Sequence, residues 1–313
     1  MPQNVKYPEM TCSRADDYAK AADELNAAMV GKGNNKDELI RITKQFNALE
    51  RLEIAKQYEA KQGKNLIAVF KDELKGDLEM YFCVLYSGYY NQWATWIFET
   101  IQGKKDNIDD LCELLFMLTK EDYDQVSAVY EQTYGVNMKD SICEDIKDSQ
   151  ICGLIKYFLE SNNKYGAGAE KLADYLFEKM DSDECEKRFT NILCNCHSRI
   201  YKEVCDKMKE KHGKDMEEII KKKFGGKQEF AFLDAHHSLL DHKTGVARQL
   251  YLCFKGLGTD EKMMIKITQL FGDRMKGGLI QQAYSPFGDV TKDIKSDLSG
   301  KDEDLILALW GQE

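Results

Sequence analysis

Apolar residues return along this chain with helical spacing. Between Ala15 and Met29 they fall at Tyr18, Ala22, Leu25 and Met29, which is i, i+4, i+7 and i+11, the stripe of an amphipathic helix. Asp37–Phe46 keeps Leu39, Ile42 and Phe46 on one face, and Arg51–Gln62 closes at Gly63. Asn65–Leu74 ends at an acidic turn, and Leu78–Tyr86 is almost wholly apolar, as a buried helix would be. These patterns predict a unit of about five helices, and the same order returns three more times. The second pass runs Trp93–Ile101, Leu111–Leu115, Tyr123–Tyr134, Met138–Asp145 and Ile151–Phe158; the third runs Ala169–Met180, Cys185–Cys194, Ile200–His212, Met216–Phe224 and Phe230–Leu239. The fourth runs Gly245–Phe254, Lys262–Phe271, Met275–Tyr284, Val290–Asp297 and Asp302–Trp310. Equivalent points fall at Met29, Ile101, Met180 and Phe254, at steps of 72, 79 and 74 residues. That period is longer than the roughly 34 to 47 residues of the usual helical solenoid repeats. The expected organisation is an arm over 1–15 and repeats over 16–88, 89–164, 165–242 and 243–313, the third degenerate. The expected linkers are Ser87–Asn91, Ser161–Gly168 and Asp241–Thr244.

Composition sharpens this to an all-α chain, because the only prolines are Pro2, Pro8 and Pro286 and the long interval between the last two lacks the strongest helix breaker. The chain is 43% hydrophobic and 31% charged, with a mean hydropathy of −0.54, as for helices with well-solvated faces. Met1–Met10 has no basic stretch followed by an apolar core, and no uncharged run reaches the roughly 18 residues that span a bilayer. An intracellular protein is expected, and its ten cysteines read as reduced thiols packed as small core residues. A formal charge of −10 argues against purely electrostatic attachment to nucleic acid or to an anionic membrane. Attachment to phosphate would need a bridging cation.

Candidate chemistry concentrates where the first helix of a repeat meets the second. In Phe254-Lys255-Gly256-Leu257-Gly258-Thr259-Asp260-Glu261, two glycines allow positive φ and leave carbonyl oxygens uncrowded by a Cβ. Thr259 is positioned to cap the helix that follows, with Asp260 and Glu261 in its first turn. Lys295-Ser296-Asp297-Leu298-Ser299-Gly300 supplies a carboxylate 43 residues after Phe254. A distant carboxylate is what a calcium site needs if the loop itself offers only neutral carbonyls. Met29-Val30-Gly31-Lys32-Gly33-Asn34 followed by Glu73, 44 residues after Met29, repeats the pairing.

Four five-helix units, a G-x-G-T loop between the first and second helix and an acidic turn between the fourth and fifth resemble the annexin family over roughly Asp16–Gly311. In the first unit Asn34 replaces the threonine of the pattern. In the second, Gly103 and Asp145 remain but Lys105 takes the second glycine position. In the third, Met180-Asp181-Ser182-Asp183-Glu184 has no glycine, and Lys223 stands where the acid should be, so no family-type calcium site is expected there. The cysteine-rich, proline-poor character resembles the α-giardin branch, annexin-like proteins of a flagellated protist cytoskeleton.

The resemblance implies four repeats packed as one curved body, with the calcium loops of repeats one and four on the same face. It also implies calcium-dependent binding to acidic phospholipid, peripherally at the inner face of the plasma membrane. The implied ligands are the carbonyls of Phe254, Gly256 and Gly258 with the Asp297 carboxylate, and those of Met29, Gly31 and Gly33 with Glu73. A weaker set is Ile101, Gly103 and Asp145. Calcium takes six to eight oxygens, so each site is short of ligands, and a lipid phosphoryl oxygen is a natural hard donor. Calcium and lipid are then expected to reinforce each other's binding. The alternative is a cytoskeletal scaffold that binds protein partners, with structural or vestigial calcium sites.

Other motifs read more plainly. The residue after Gly258 is Thr259, so the loop is not a G-x-x-x-x-G-K-[ST] nucleotide cradle. Asp181-x-Asp183-x-Cys185 lacks the later oxygens of an EF-hand and reads as a solvated helix start. Cys194 and Cys196 on a helix would point about 200° apart, against the spacing of a zinc site. His236, His237 and His242 read as interhelix contacts, and Lys221-Lys222-Lys223 as a solvated helix end without the aromatic interleaving of a nucleic-acid surface. No nucleophile elbow, HExxH or triad signature is present, and no enzyme is expected.

Overall fold

The computed structural model describes residues 14–30, 34–103, 107–146, 148–160 and 168–313. Among these, twenty α-helices and no strand occur, in four successive sets of five. The first set is α1 (Ala15–Met29), α2 (Lys36–Lys44), α3 (Ala48–Gln62), α4 (Leu66–Glu73) and α5 (Asp77–Tyr86); the second is α6 (Tyr90–Gln102), α7 (Ile108–Phe116), α8 (Lys120–Tyr134), α9 (Met138–Asp145) and α10 (Ser149–Glu160). The third is α11 (Ala169–Phe177), α12 (Glu184–Asn195), α13 (Ser198–His212), α14 (Met216–Lys223) and α15 (Gly226–Leu240). The fourth is α16 (His242–Phe254), α17 (Glu261–Phe271), α18 (Leu279–Tyr284), α19 (Val290–Asp297) and α20 (Gly300–Trp310).

Two expected linkers are shorter than the polar composition indicates. Helix α6 starts at Tyr90 and α16 at His242, because Tyr89, Trp93 and His242 are buried and continue the packing. Conversely, the helix expected over Met275–Tyr284 is only Leu279–Tyr284, since Gly277 and Gly278 adopt positive φ of 69° and 87° just before it.

The chain divides into two compact units. One comprises the described residues up to 92 together with 247–313, and so joins the first repeat to the fourth. Within it α5 packs on α17 and α2 on α20, so the fifth helix of each repeat lies on the second helix of the other. Phe82, Leu85, Ile267 and Leu305 are fully buried there, and the Trp310 indole donates to the Thr268 hydroxyl at 3.0 Å. Arg51, 1% exposed, donates to the carbonyls of Phe46 and Leu85 at 2.6 and 3.2 Å and to Gln269 and Asp273 of the fourth repeat at 3.2 and 3.1 Å.

The other unit comprises the described residues between 93 and 246, its helices being those of the second and third repeats. It shows the same exchange, α15 on α7 and α10 on α12. The histidines are interhelix contacts here: His236 is bonded to the Tyr201 hydroxyl at 2.7 Å, and His242 reaches the Met117 carbonyl at 2.7 Å.

Candidate metal centre

In each repeat the fourth helix is eight residues long, and its length sets where the key residue falls. Asn65, Asn137, Asp215 and Asp289 cap these helices, their side chains accepting from Ala68, Asp140, Glu217 and Lys292 N–H groups at 3.0 to 3.2 Å. Buried pairs one turn apart, such as Leu66 and Phe70 or Val290 and Ile294, hold the inner face. The next residue is extended and returns its N–H to the helix: Leu74 to Phe70 at 2.8 Å, Phe224 to Ile220 at 2.9 Å, Leu298 to Ile294 at 2.9 Å. Glu73, Asp145, Lys223 and Asp297 therefore occupy one equivalent point, the last residue of the helix.

The fourth-repeat loop meets that point directly. Gly256 and Gly258 have φ of 124° and 90°, and nothing lies within 4 Å of where a Cβ would stand on either. The loop is closed by the Asp260 N–H donating to the Cys253 carbonyl at 2.9 Å. Asp260, rather than Thr259, caps α17, its carboxylate accepting from the Met263 N–H at 2.9 Å. This frees the Thr259 hydroxyl, which donates to Asp297 Oδ2 at 3.2 Å across 38 residues of chain. The other oxygen of Asp297 accepts from Ser296 at 3.0 Å. Leu257, between the glycines, is fully exposed, and the Lys255 ammonium is drawn aside over the Tyr251 ring at 5.7 Å from its centroid. Phe254 is the last residue of α16.

Met29, at the end of α1, occupies the matching place in the first repeat, while Gly31 and Gly33 lie outside the described residues. The frame around them repeats the fourth: the Asn35 N–H donates to the Ala28 carbonyl at 2.9 Å, and Asn35 caps α2. Asn34, at the threonine position, donates its side-chain amide to the Glu73 carbonyl, so it ties loop to turn instead of capping. Burial raises the Tyr58 phenol, and the Glu73 carboxylate adds to the rise.

The remaining repeats diverge. In the second, Ile101 is buried and Asp145 ends α9, but Gly103 lacks the positive φ of Gly256, and a Cβ there would meet the Asn107 amide at 3.3 Å. Lys105 lies outside the described residues. In the third, α12 begins four residues after Met180, whereas α17 begins seven after Phe254. A tight turn, with the Ser182 N–H on the Lys179 carbonyl at 3.0 Å, replaces the loop.

The donor set at the fourth repeat fits a hard divalent cation: the carbonyls of an unobstructed two-glycine loop, with one carboxylate tied to that loop through Thr259. Among the described residues no three His, Cys, Asp or Glu side chains converge on a metal position, as follows for a site built mainly from backbone oxygen. Burial also pushes the Cys196 and Cys205 thiols up to about 12, which disfavours thiolate ligation.

A sequence model of the annexin family matches residues 20–85. Annexin A4 of Mus musculus is 27% identical over 257 residues, 79% of each chain. A structure of annexin A8 superposes with a TM-score of 0.83 at 22% identity, covering 98% of this chain and 97% of that one. The calcium-bound structure of alpha-1 giardin superposes with a TM-score of 0.81 at 23% identity, covering 95% and 99%.

Proposed function

The chain belongs to the annexin family, and from that premise we propose that it binds acidic phospholipid membranes in a calcium-dependent manner, with the fourth repeat as its principal site. The observation that carries this reading is the Thr259 to Asp297 hydrogen bond at 3.2 Å. It joins an open two-glycine loop to the one carboxylate that could complete it.

The carbonyls of Phe254, Gly256 and Gly258 and the carboxylate of Asp297 would hold calcium there. Met29, Gly31, Gly33 and Glu73 form the next set, and Ile101, Gly103 and Asp145 a weaker one. When bound, calcium supplies a positive charge whose remaining coordination a lipid phosphoryl oxygen can complete. The protein's own part is to keep the loop open, hold Asp297 against it and carry too much negative charge to approach an anionic surface unaided, at a formal −10. Fully exposed Leu257 at the loop tip offers an apolar contact to the interface. No described helix is long and apolar enough to cross a membrane, which fits peripheral attachment. We place the protein at the cytoplasmic leaflet, where anionic lipid concentrates, and assign it no catalytic step.

Co-sedimentation with phosphatidylserine vesicles tests the reading. The wild type should pellet with calcium and stay in solution with chelator. Asp297→Ala should raise the calcium needed by about tenfold, since each factor of ten is about 1.4 kcal/mol and the substitution removes the site's only carboxylate. Glu73→Ala should have a smaller effect. A wild type that remains soluble with vesicles in millimolar-range calcium overturns the proposal.

A further inference from the structure

Helices α9 and α10 follow each other across a short turn and pack together. The Lys139 ammonium of α9 meets the Glu160 carboxylate of α10 at 3.2 Å, which fixes the register of this antiparallel pair. Nearer the turn, the same register brings Cys143 opposite Cys152. Their thiols are in hydrogen-bond contact, and the Cys152 thiol also reaches the Cys143 carbonyl at 3.9 Å. Both residues are half-buried, so a small molecule has access to them. The other described cysteines lack this combination. Cys112, Cys185, Cys194, Cys196 and Cys253 are buried, while the half-buried Cys83 and Cys205 turn their thiols to the Ile67 carbonyl at 3.8 Å and to the buried Tyr201 hydroxyl.

Desolvation, and after it the facing Cys152 thiol, hold the Cys143 thiol up at about 11, with Lys156 and Lys139 opposing them. At neutral pH the nucleophilic thiolate is scarce, so the pair stays reduced until an oxidant is abundant. Once one sulfur is captured in a mixed disulfide, the other already stands beside it. The second exchange is then intramolecular and outruns the first.

We propose that Cys143 and Cys152 are a reversible dithiol–disulfide site, oxidised by exchange with a low-molecular-weight disulfide. One protein thiolate attacks the small disulfide and expels a small thiolate, which takes up the proton the protein thiol lost. The second protein thiolate attacks the mixed disulfide and expels the other small thiolate, which is protonated in the same way. Two protein S–H bonds are lost, one protein S–S bond forms, and the small disulfide is reduced to two thiols. Thiols already in contact need only side-chain rotation to reach the disulfide length of about 2.05 Å. The ten-residue loop so closed, 143–152, carries Asp145 at the end of α9 and Asp148, which caps α10 and accepts from Gln228 of the third repeat at 2.9 Å. Oxidation therefore staples the corner through which the second repeat holds Gln228.

The test equilibrates the full chain, in chelator, with mixtures of reduced and oxidised glutathione and quenches with acid. Proteolysis without reductant, followed by mass spectrometry, should find Cys143 joined to Cys152, two hydrogens lighter and free of glutathione. Excess dithiothreitol should restore the dithiol. In Cys152→Ser, Cys143 should instead retain glutathione as a mixed disulfide, because the thiol that would displace it is gone. Cys83→Ser, which removes an accessible thiol elsewhere, should leave the linked product unchanged. The oxidised wild type should melt several degrees above the reduced form, a rise absent from Cys152→Ser in the same mixtures. Glutathione accumulating on Cys143 or Cys152 of the wild type, or both thiols staying reduced in the most oxidising mixture, overturns the proposal. A linked protein with an unchanged melting temperature overturns the stapling.

Discussion

Asp302 is a carboxylate whose surroundings oppose its charge. It sits in the first turn of α20 with one oxygen buried and without a hydrogen-bond partner, as is the hydroxyl of the fully buried Tyr81. Burial raises its titration from the usual 3.8, Asp77 and Glu261 raise it further, and Lys36 opposes them. A folded pKa above the unfolded one means that the native state binds more protons, so stability falls as pH rises from about 3.8 through the raised value. Asp302→Asn should therefore raise the melting temperature at pH 7, with the gain shrinking toward zero as pH falls through that window. Melting curves at pH 7 and pH 4 check this, and a gain that persists undiminished at pH 4 would refute it. The same scale shows what local reading misses. The residue type of Thr259 suits a helix cap; only the placement of Asp297, 38 residues away, shows which acceptor its hydroxyl takes.

At the scale of the element, the fourth helices were legible almost to the residue. Met138–Asp145 and Val290–Asp297 coincide with expectation, because an Asn or Asp cap, an apolar pair one turn apart and a fixed length of eight leave little freedom. Asp289→Ala should cost about 1 kcal/mol through loss of the α19 cap, measurable by urea unfolding, and should also raise the calcium needed for vesicle binding, because α19 positions Asp297. Asp215→Ala should carry a similar stability cost with no change in calcium requirement. Equal calcium effects from the two would break the link between helix capping and the site. The short α18 departs from its sequence pattern for the opposite reason. Its apolar pattern is helical, but Gly277 and Gly278 take up positive φ and delay the start.

At the scale of the molecule, the decisive arrangement is the exchange of fifth helices between repeats. Arg51 ties this together in the unit formed by repeats one and four, bonding backbone carbonyls of its own repeat and Asp273 of the other. Arg51→Met should destabilise that unit by roughly 3 kcal/mol or more, since it leaves Asp273 and several buried carbonyls short of donors. The Lys276 ammonium at 3.0 Å and the Ala48 N–H at 3.0 Å still serve Asp273 and limit the loss. Denaturant unfolding followed by a probe in that unit reports the change, and a variant as stable as wild type would remove Arg51 from this role.

Read as a sequence, the chain determined its helical class, its fourfold recurrence and the loops and acids from which a cation site could be built, because each rests on short-range spacing and residue type. Lys223 and the missing glycines of the third repeat are equally local facts. The tertiary structure alone decided which repeats pair, because the apolar faces of all four are alike and only their packing selects first with fourth and second with third. It also decided that Asp297 meets the Gly256 loop through Thr259, since that depends on residues 38 positions apart that only packed helices bring together.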